Sequence, residues 1–294
     1  MSATIPTLTG FAAIADRYDL ILCDVWGVLH DGAKAHPGAG DALIRFRGLD
    51  GPRRRRVVLV SNAPRPSDRI ARMLERLGVE RGAYDAILTS GDLTRDLVAA
   101  RPGARIHHLG PERDLPIYVG LDVSLVGPEE AETVVCTGLF DDTRETADDY
   151  RDALAAFHAR DLPMICANPD IVVERGGTLI PCAGAVAAAY EGIGGAVTYA
   201  GKPHRPVYEA AVALAASLDG GAPDPLARVL AVGDAIRTDI AGARGFGVAS
   251  LFVARGIHAE ELGVGAEHDT LGDIAAWLER QTVRPDAVIE RLVW

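Results

Sequence analysis

Short apolar runs alternate with amphipathic stretches over most of the chain, and several runs end on a polar or acidic residue. Leu20–Cys23 ends at Asp24, Val57–Val60 at Ser61, Ala86–Leu88 at Thr89, and Arg228–Val232 at Gly233–Asp234. Runs this short and this uniformly apolar predict strands buried on both faces. Ile70, Met73, Leu74 and Leu77 fall at helical spacing, which predicts a helix over Ser67–Leu77 with Ser67 as its N-cap. The alternation predicts an α/β fold: a Rossmann-like, doubly wound parallel sheet with helices on both faces. In such sheets ligands bind beyond the carboxyl ends of the strands. Asp24, Ser61 and Asp234 gather there if their strands are neighbours.

The middle of the chain follows a different plan. Residues 88–196 carry their own strands (Arg105–Leu109, Thr133–Thr137, Pro163–Ala167) and a helix over Glu145–Arg160, whose start is flanked by Asp148 and Asp149. They hold none of the acids that end the outer strands. The expected organisation is a core of residues 1–87 plus 197–294, with an α/β cap domain of residues 88–196 inserted into it. The small-residue helix after Cys182 is expected to pack at the junction. The terminal Val288–Trp294 is expected to pack on the core or on a partner.

Composition narrows the function classes. The chain has 294 residues, 48% of them hydrophobic, enough for a sizeable core. Its net charge of −11 excludes the concentrated positive charge that nucleic acids and anionic membranes require. In so acidic a chain, the run Arg53–Arg56 reads as a solvated turn. The four cysteines form no Cys-x-x-Cys and read as reduced, buried thiols. The first twenty residues lack a basic region and a continuous apolar stretch, and no run reaches the ~20 residues of a membrane helix. A cytoplasmic protein is expected.

Four clusters carry candidate chemistry. In Asp24-Val-Trp-Gly27, the Asp at a strand end is a nucleophile, a metal ligand or a helix cap. Ser61-Asn62 offers a hydroxyl and backbone N–H groups for a phosphate oxygen, or is an ordinary turn. Lysine occurs only at Lys34 and Lys202, so a Lys held in Gly201-Lys-Pro-His204 departs from the chain's habit of using arginine. It is not a P-loop, since no Ser or Thr follows it. In Gly233-Asp-Ala-Ile-Arg-Thr-Asp239, two carboxylates at a sheet edge suit a hard divalent cation such as Mg²⁺.

In this order the clusters resemble the haloacid dehalogenase superfamily, and more narrowly class IIA, the phosphatase-like branch with a large α/β cap. Thr89-Ser90, Asn168-Pro-Asp170 and Gly201-Lys-Pro fit the same pattern, and Gly-Asp-x-x-x-Thr-Asp is its most specific part. The resemblance implies a Mg²⁺-dependent hydrolase of small phosphorylated metabolites such as sugar phosphates or nucleotides. Asp24 would be the nucleophile that takes the phosphoryl group. Asp24, Asp234 and the backbone carbonyl of Trp26 would hold Mg²⁺, with Asp239 supporting it through water or through another ligand. Ser61, the Asn62 N–H and Gly27 would meet the phosphate, Asn168 and Asp170 would meet substrate from the cap, and Lys202 would neutralise charge on Asp24 and the phosphate. The cap's own sheet offers an edge for a homodimer.

One position departs from the pattern. Phosphatases of this family carry Asp-x-Asp in the first motif, where the second Asp is the general acid and base. Here that position is Trp26, which supplies only an N–H donor. The expectation is a slow phosphatase, or one selective for good leaving groups. His30, Asp31, His204 and Asp170 are candidate replacements, with solvated loop imidazoles as the plainer reading of the two histidines. The alternative function is a sensor that binds metal and phosphometabolite with little turnover.

Overall fold

The computed structural model describes residues 5–175, 178–263 and 273–294. It divides into two compact units, one of Met1–Ser61, Ala71–Leu88 and Tyr208–Trp294, the other of Asn62–Ile70 and Thr89–Val207. In chain order the strands are β1 (Thr7–Leu8), β2 (Leu20–Cys23), β3 (Arg56–Ser61), β4 (Ala86–Thr89), β5 (Ala104–Leu109), β6 (Val123–Leu125), β7 (Thr133–Cys136), β8 (Met164–Cys166), β9 (Val172–Arg175), β10 (Thr178–Pro181), β11 (Val197–Tyr199), β12 (Val229–Gly233), β13 (Ala249–Val253) and β14 (Ala287–Ile289).

The first unit is built on a sheet ordered β1-β14-β13-β12-β2-β3-β4. Each pairing from β1 across to β3 is parallel. Strands β2, β3 and β12 are buried at every residue, as their continuous apolar runs require. Val232 lies opposite Cys23, and Cys23 opposite Leu59. The carboxyl ends of three neighbouring strands therefore present Asp234, Asp24 and Ser61 together. The terminal segment packs on its own unit. β14 lies between β13 and β1, the Phe11 N–H donates to the Val293 carbonyl at 2.7 Å, and the Phe11 and Trp294 rings meet edge-on.

Only the first half of the arginine run is a solvated turn: Arg53 and Arg54 are exposed, and the second half is not. Arg55 and Arg56 are each only 4% exposed, because the run leads directly into the interior strand β3. Buried guanidinium groups need acidic partners. Arg55 donates to Asp19 and to the Tyr18 carbonyl. Arg56 donates to Asp224 at 2.5 Å and to the Ala215 carbonyl at 2.7 Å. Asp19 also accepts from Arg228 at 2.7 and 2.9 Å. That hydrogen bonding to Arg228, with the nearby Arg55 charge, holds the Asp19 carboxyl below its usual range despite burial. A lowered pKa in the folded state gives stability that is present above the unfolded carboxyl value and lost as pH falls through the folded one. Asp19→Asn is accordingly expected to cost about 3–5 kcal/mol at neutral pH by leaving the buried Arg55 without its counter-charge. In urea melts the gap from wild type should close as the pH drops below ~4. A constant gap across that range would remove the charge from the explanation.

The second unit has a parallel sheet ordered β11-β8-β7-β5-β6 and an antiparallel pair, β9 with β10. The helix expected over Glu145–Arg160 is a 3₁₀ turn, Ala147–Tyr150, followed by an α-helix, Arg151–His158. A capping box between Thr146 and Asp149 sets its start. The helix Ala183–Gly192 buries Ala183, Val186, Ala187 and Tyr190 against Leu154, Phe157 and Met164. Its small residues thus serve this unit's own core.

This unit extends beyond the expected 88–196 at both ends. Within it the Asn62 amide bonds the backbone of Lys202, linking segment 62–70 with segment 197–207. The helix Ser67–Leu77 begins at Ser67 itself, whose N–H is taken by Asp92 at 3.1 Å, so Ser67 lies inside the helix rather than capping it. All four cysteines are buried, and none forms a disulfide. Among the described residues, no helix is long and apolar enough to cross a membrane.

Candidate active site

In the first unit the chain leaves β2 at Asp24 with its N–H on the Val232 carbonyl at 2.8 Å, a continuation of the β2–β12 ladder. Asp234 leaves β12 beside it, and Asp239 follows on the short π turn Ile236–Ile240. One carboxylate oxygen from each of Asp24, Asp234 and Asp239 lies within 4.8 Å of the other two. Asp234 and Asp239 are buried and Asp24 is half-buried. Three like charges this close favour a cation among them. An all-oxygen donor set without Cys or His suits a hard divalent ion. The residues present therefore fit the divalent metal that the sequence pattern implies.

Glycines make room for this convergence. Gly27 has φ +79°, and a Cβ there would run into the Asp234 carboxylate. A Cβ at Gly256 would strike the same carboxylate, and one at Gly233 would strike that of Asp239. Backbone groups hold the acids in place. The Ile257 N–H donates to Asp234 Oδ2 at 2.7 Å, and the Ala235 N–H donates to Asp239 Oδ2 at 3.1 Å. The Tyr208 hydroxyl lies 3.3 Å from the carbonyls of both Thr238 and Asp239. The sequence reading missed Gly256 and Ile257. The only trace of them was a glycine shortly after an apolar run, one of many such glycines in this chain.

Trp26 is half-exposed, with its ring edge-on to His30 at 5.1 Å and against the backbone of Gly32. A Cβ at Gly32, where φ is +90°, would sit 2.7 Å from the indole. His30 is not a solvated loop imidazole, being fully buried. Its Nδ1 accepts the Gly32 N–H at 2.9 Å, and burial pushes its pKa down to about 4. At neutral pH it is uncharged and its Nδ1 lone pair is occupied, which suits a structural role better than proton transfer. Asp31 is exposed, and one oxygen accepts from both Ala33 and Lys34 at 2.9 Å, which lowers its pKa. Ser61 is buried at the end of β3.

The second unit brings together another group of the expected residues. The Asn62 amide donates to Asp170 Oδ1 at 2.9 Å and to the Lys202 carbonyl at 3.0 Å, and its oxygen accepts the Lys202 N–H at 2.8 Å. Asn168 Oδ1 accepts the Asp170 N–H at 3.1 Å. A Cβ at Gly201 would collide with Asn62 and Ser90, so the glycine before Lys202 permits this close approach. His204 is half-buried rather than free in solvent, and it stacks flat on Tyr199 with centroids 4.4 Å apart. Burial lowers its pKa.

Comparisons with known proteins agree with this architecture. A family model described as haloacid dehalogenase-like hydrolase matches residues 21–123, and a second, described as HAD-hydrolase-like, matches residues 199–293. The chain is 30% identical over 266 residues to D-glycerol 3-phosphate phosphatase of Mycobacterium tuberculosis, covering 87% of this chain and 68% of that protein. Among solved structures, a haloacid dehalogenase-like hydrolase from Brucella suis 1330 is 46% identical with a TM-score of 0.84, covering 97% of this chain and 100% of that one. Glycerol phosphate phosphatase from Mycobacterium tuberculosis, solved in complex with calcium, is 27% identical with a TM-score of 0.61, covering 83% of this chain and 68% of that one. A 4-nitrophenylphosphatase from Thermotoga maritima, 24% identical with a TM-score of 0.69, covers 95% of this chain and 96% of that one and shares the fold. With its acid cluster at the sheet's carboxyl end and a second α/β unit formed largely by the intervening chain, this protein belongs to the haloacid dehalogenase-like hydrolases.

Proposed function

We propose that this protein is a Mg²⁺-dependent phosphatase of small phosphorylated metabolites that works through an aspartyl phosphate on Asp24. The observation that carries the reading is the convergence of Asp24, Asp234 and Asp239 within 4.8 Å at the ends of neighbouring strands. Asp24, Asp234 and the Trp26 carbonyl would hold the metal, with Asp239 in support. When bound, the metal neutralises charge on the transferring phosphoryl group and on the acids around it. An Asp24 carboxylate oxygen attacks phosphorus, the bond to the ester oxygen breaks, and water then cleaves the acyl phosphate to restore Asp24 and release phosphate. Ser61, Gly27 and the Asn62 N–H are proposed to bind phosphate oxygens, and Lys202 is proposed as a cation for the phosphate. Asn168 and Asp170 are proposed as substrate contacts.

The leaving oxygen needs a proton unless it is a stable anion. Trp26 cannot supply one, and His30 is neutral with its Nδ1 already bonded. Acyl and aryl phosphates should therefore react faster than alkyl phosphates. A second reading, a sensor that binds metabolite and metal without turnover, is favoured by the same Trp26, whose ring is held between His30 and Gly32.

The test is phosphate release by metal-stripped protein, with and without added Mg²⁺, from acetyl phosphate, p-nitrophenyl phosphate and glycerol 3-phosphate. Turnover is expected only with the metal, and in that order of rates. Release that persists in chelator would overturn the metal-dependent reading. Metal binding with no release from any ester would establish the sensor.

A further inference from the structure

We propose that His258 is a positioning residue for the metal-binding acids, acting through the backbone of the loop that joins Asp234 to Asp239. The proposal rests on the metal reading of those acids given above. Asp234 is gripped from two directions. On one side Gly256 packs against its carboxylate and the Ile257 N–H donates to it at 2.7 Å. On the other side the chain runs from Asp234 through Ala235 to Ile236. The Ala235 N–H is taken by Asp239 at 3.1 Å, and the Ile236 N–H is taken by Nε2 of His258 at 3.3 Å. His258 follows Ile257 directly. One residue therefore links the strap that holds the Asp234 carboxylate to the peptide that carries the chain on toward Asp239.

The imidazole is oriented for this task. An N–H donor at Nε2 requires a lone pair there, so the ring proton sits on Nδ1. Nδ1 lies 3.1 Å from Glu261 Oε1, and the other oxygen of Glu261 accepts the Trp277 Nε1–H at 3.1 Å. The ring also packs on Trp277, with centroids 5.0 Å apart, and Trp277 stacks on Phe252 of β13. The chain Trp277–Glu261–His258–Ile236 thus fixes the tautomer and direction of the imidazole against the hydrophobic core of this unit. Partners that orient metal ligands in this way typically govern metal affinity by ~10–100-fold.

The experiment measures Mn²⁺ affinity by electron paramagnetic resonance, with thermal melting of the metal-free protein alongside. His258→Phe keeps a ring to pack on Trp277 and loses the acceptor for Ile236. It is expected to weaken Mn²⁺ binding by ~10–100-fold while leaving the metal-free melting temperature nearly unchanged. His258→Gln restores an acceptor and is expected to recover most of the affinity. Glu261→Leu frees the imidazole without touching the loop and is expected to give a smaller loss in the same direction, so the question stays open to test if His258→Phe does not fold. Wild-type affinity in His258→Phe, or in Glu261→Leu where that is the folded variant, would overturn the proposal. A loss that His258→Gln does not recover would also overturn it. Asp234→Asn separates the two layers. If it binds Mn²⁺ like wild type, the metal reading itself fails. If it loses Mn²⁺ while the His258 variants do not, only the positioning role fails.

Discussion

Asp24→Asn is expected to abolish phosphate release, lowering turnover by at least ~10³-fold, the scale on which removing a covalent nucleophile acts. The substitution keeps the size of the side chain and replaces an attacking carboxylate oxygen with an amide that forms no acyl phosphate. Asp24 sits at the end of a fully buried strand, with its backbone N–H in the β2–β12 ladder, so an isosteric change there leaves the sheet intact. The rate should be read together with an acid quench of wild type on labelled acetyl phosphate. Label should remain on the wild-type protein and be absent from Asp24→Asn. Turnover within tenfold of wild type would place the nucleophile elsewhere.

Trp26→Asp is expected to raise turnover of glycerol 3-phosphate by ~10²–10⁴-fold, the usual contribution of a general acid and base. An alkoxide is a poor leaving group and gains most from a proton delivered as the bond breaks. p-Nitrophenolate and acetate leave as anions, so the same variant should change those rates far less. The contrast between substrates is the diagnostic part, because a general loosening of the site would move all of them together. The indole rests against Gly32 and edge-on to His30 on a half-exposed surface, so a smaller side chain can be accommodated there. A gain below tenfold on the alkyl phosphate would mean that the missing acid is not what limits this protein.

The convergence of the strand-end acids is legible in the sequence. Asp24, Ser61 and Asp234 each follow an apolar run, and a parallel sheet leaves few places for such residues other than its carboxyl edge. The pair Asp234 and Asp239 carried its own spacing, one residue ending a strand and the other on the first turn after it. The bond from Asn62 to Asp170 and Lys202 was not readable, because it joins three segments far apart in the chain. It lies within the second unit, to which residues 62–70 and 197–207 belong.

The other departures share a cause. Charge along a chain reports what a residue carries and not what stands opposite it. Arg53–Arg56 read as solvated because the acids that neutralise Arg55 and Arg56, Asp19 and Asp224, come from distant segments. His30 read as a loop imidazole because nothing local announces that the turn folds back and buries it. His258 gave no signal at all, since its partner is a backbone N–H at Ile236, and a backbone donor leaves no mark on residue type.

The sequence by itself determined the α/β class, the strands whose ends carry the candidate residues, the acids suited to a divalent cation, and the absence of an acid at position 26. These are properties of side-chain type and periodic burial, which act locally and repeat. The tertiary structure alone decided which strands are neighbours, which charges are buried in pairs, where the second unit begins and ends, and which groups brace the acids. Those depend on contacts between segments remote in the chain, whose energies exist only once the backbone has closed on itself.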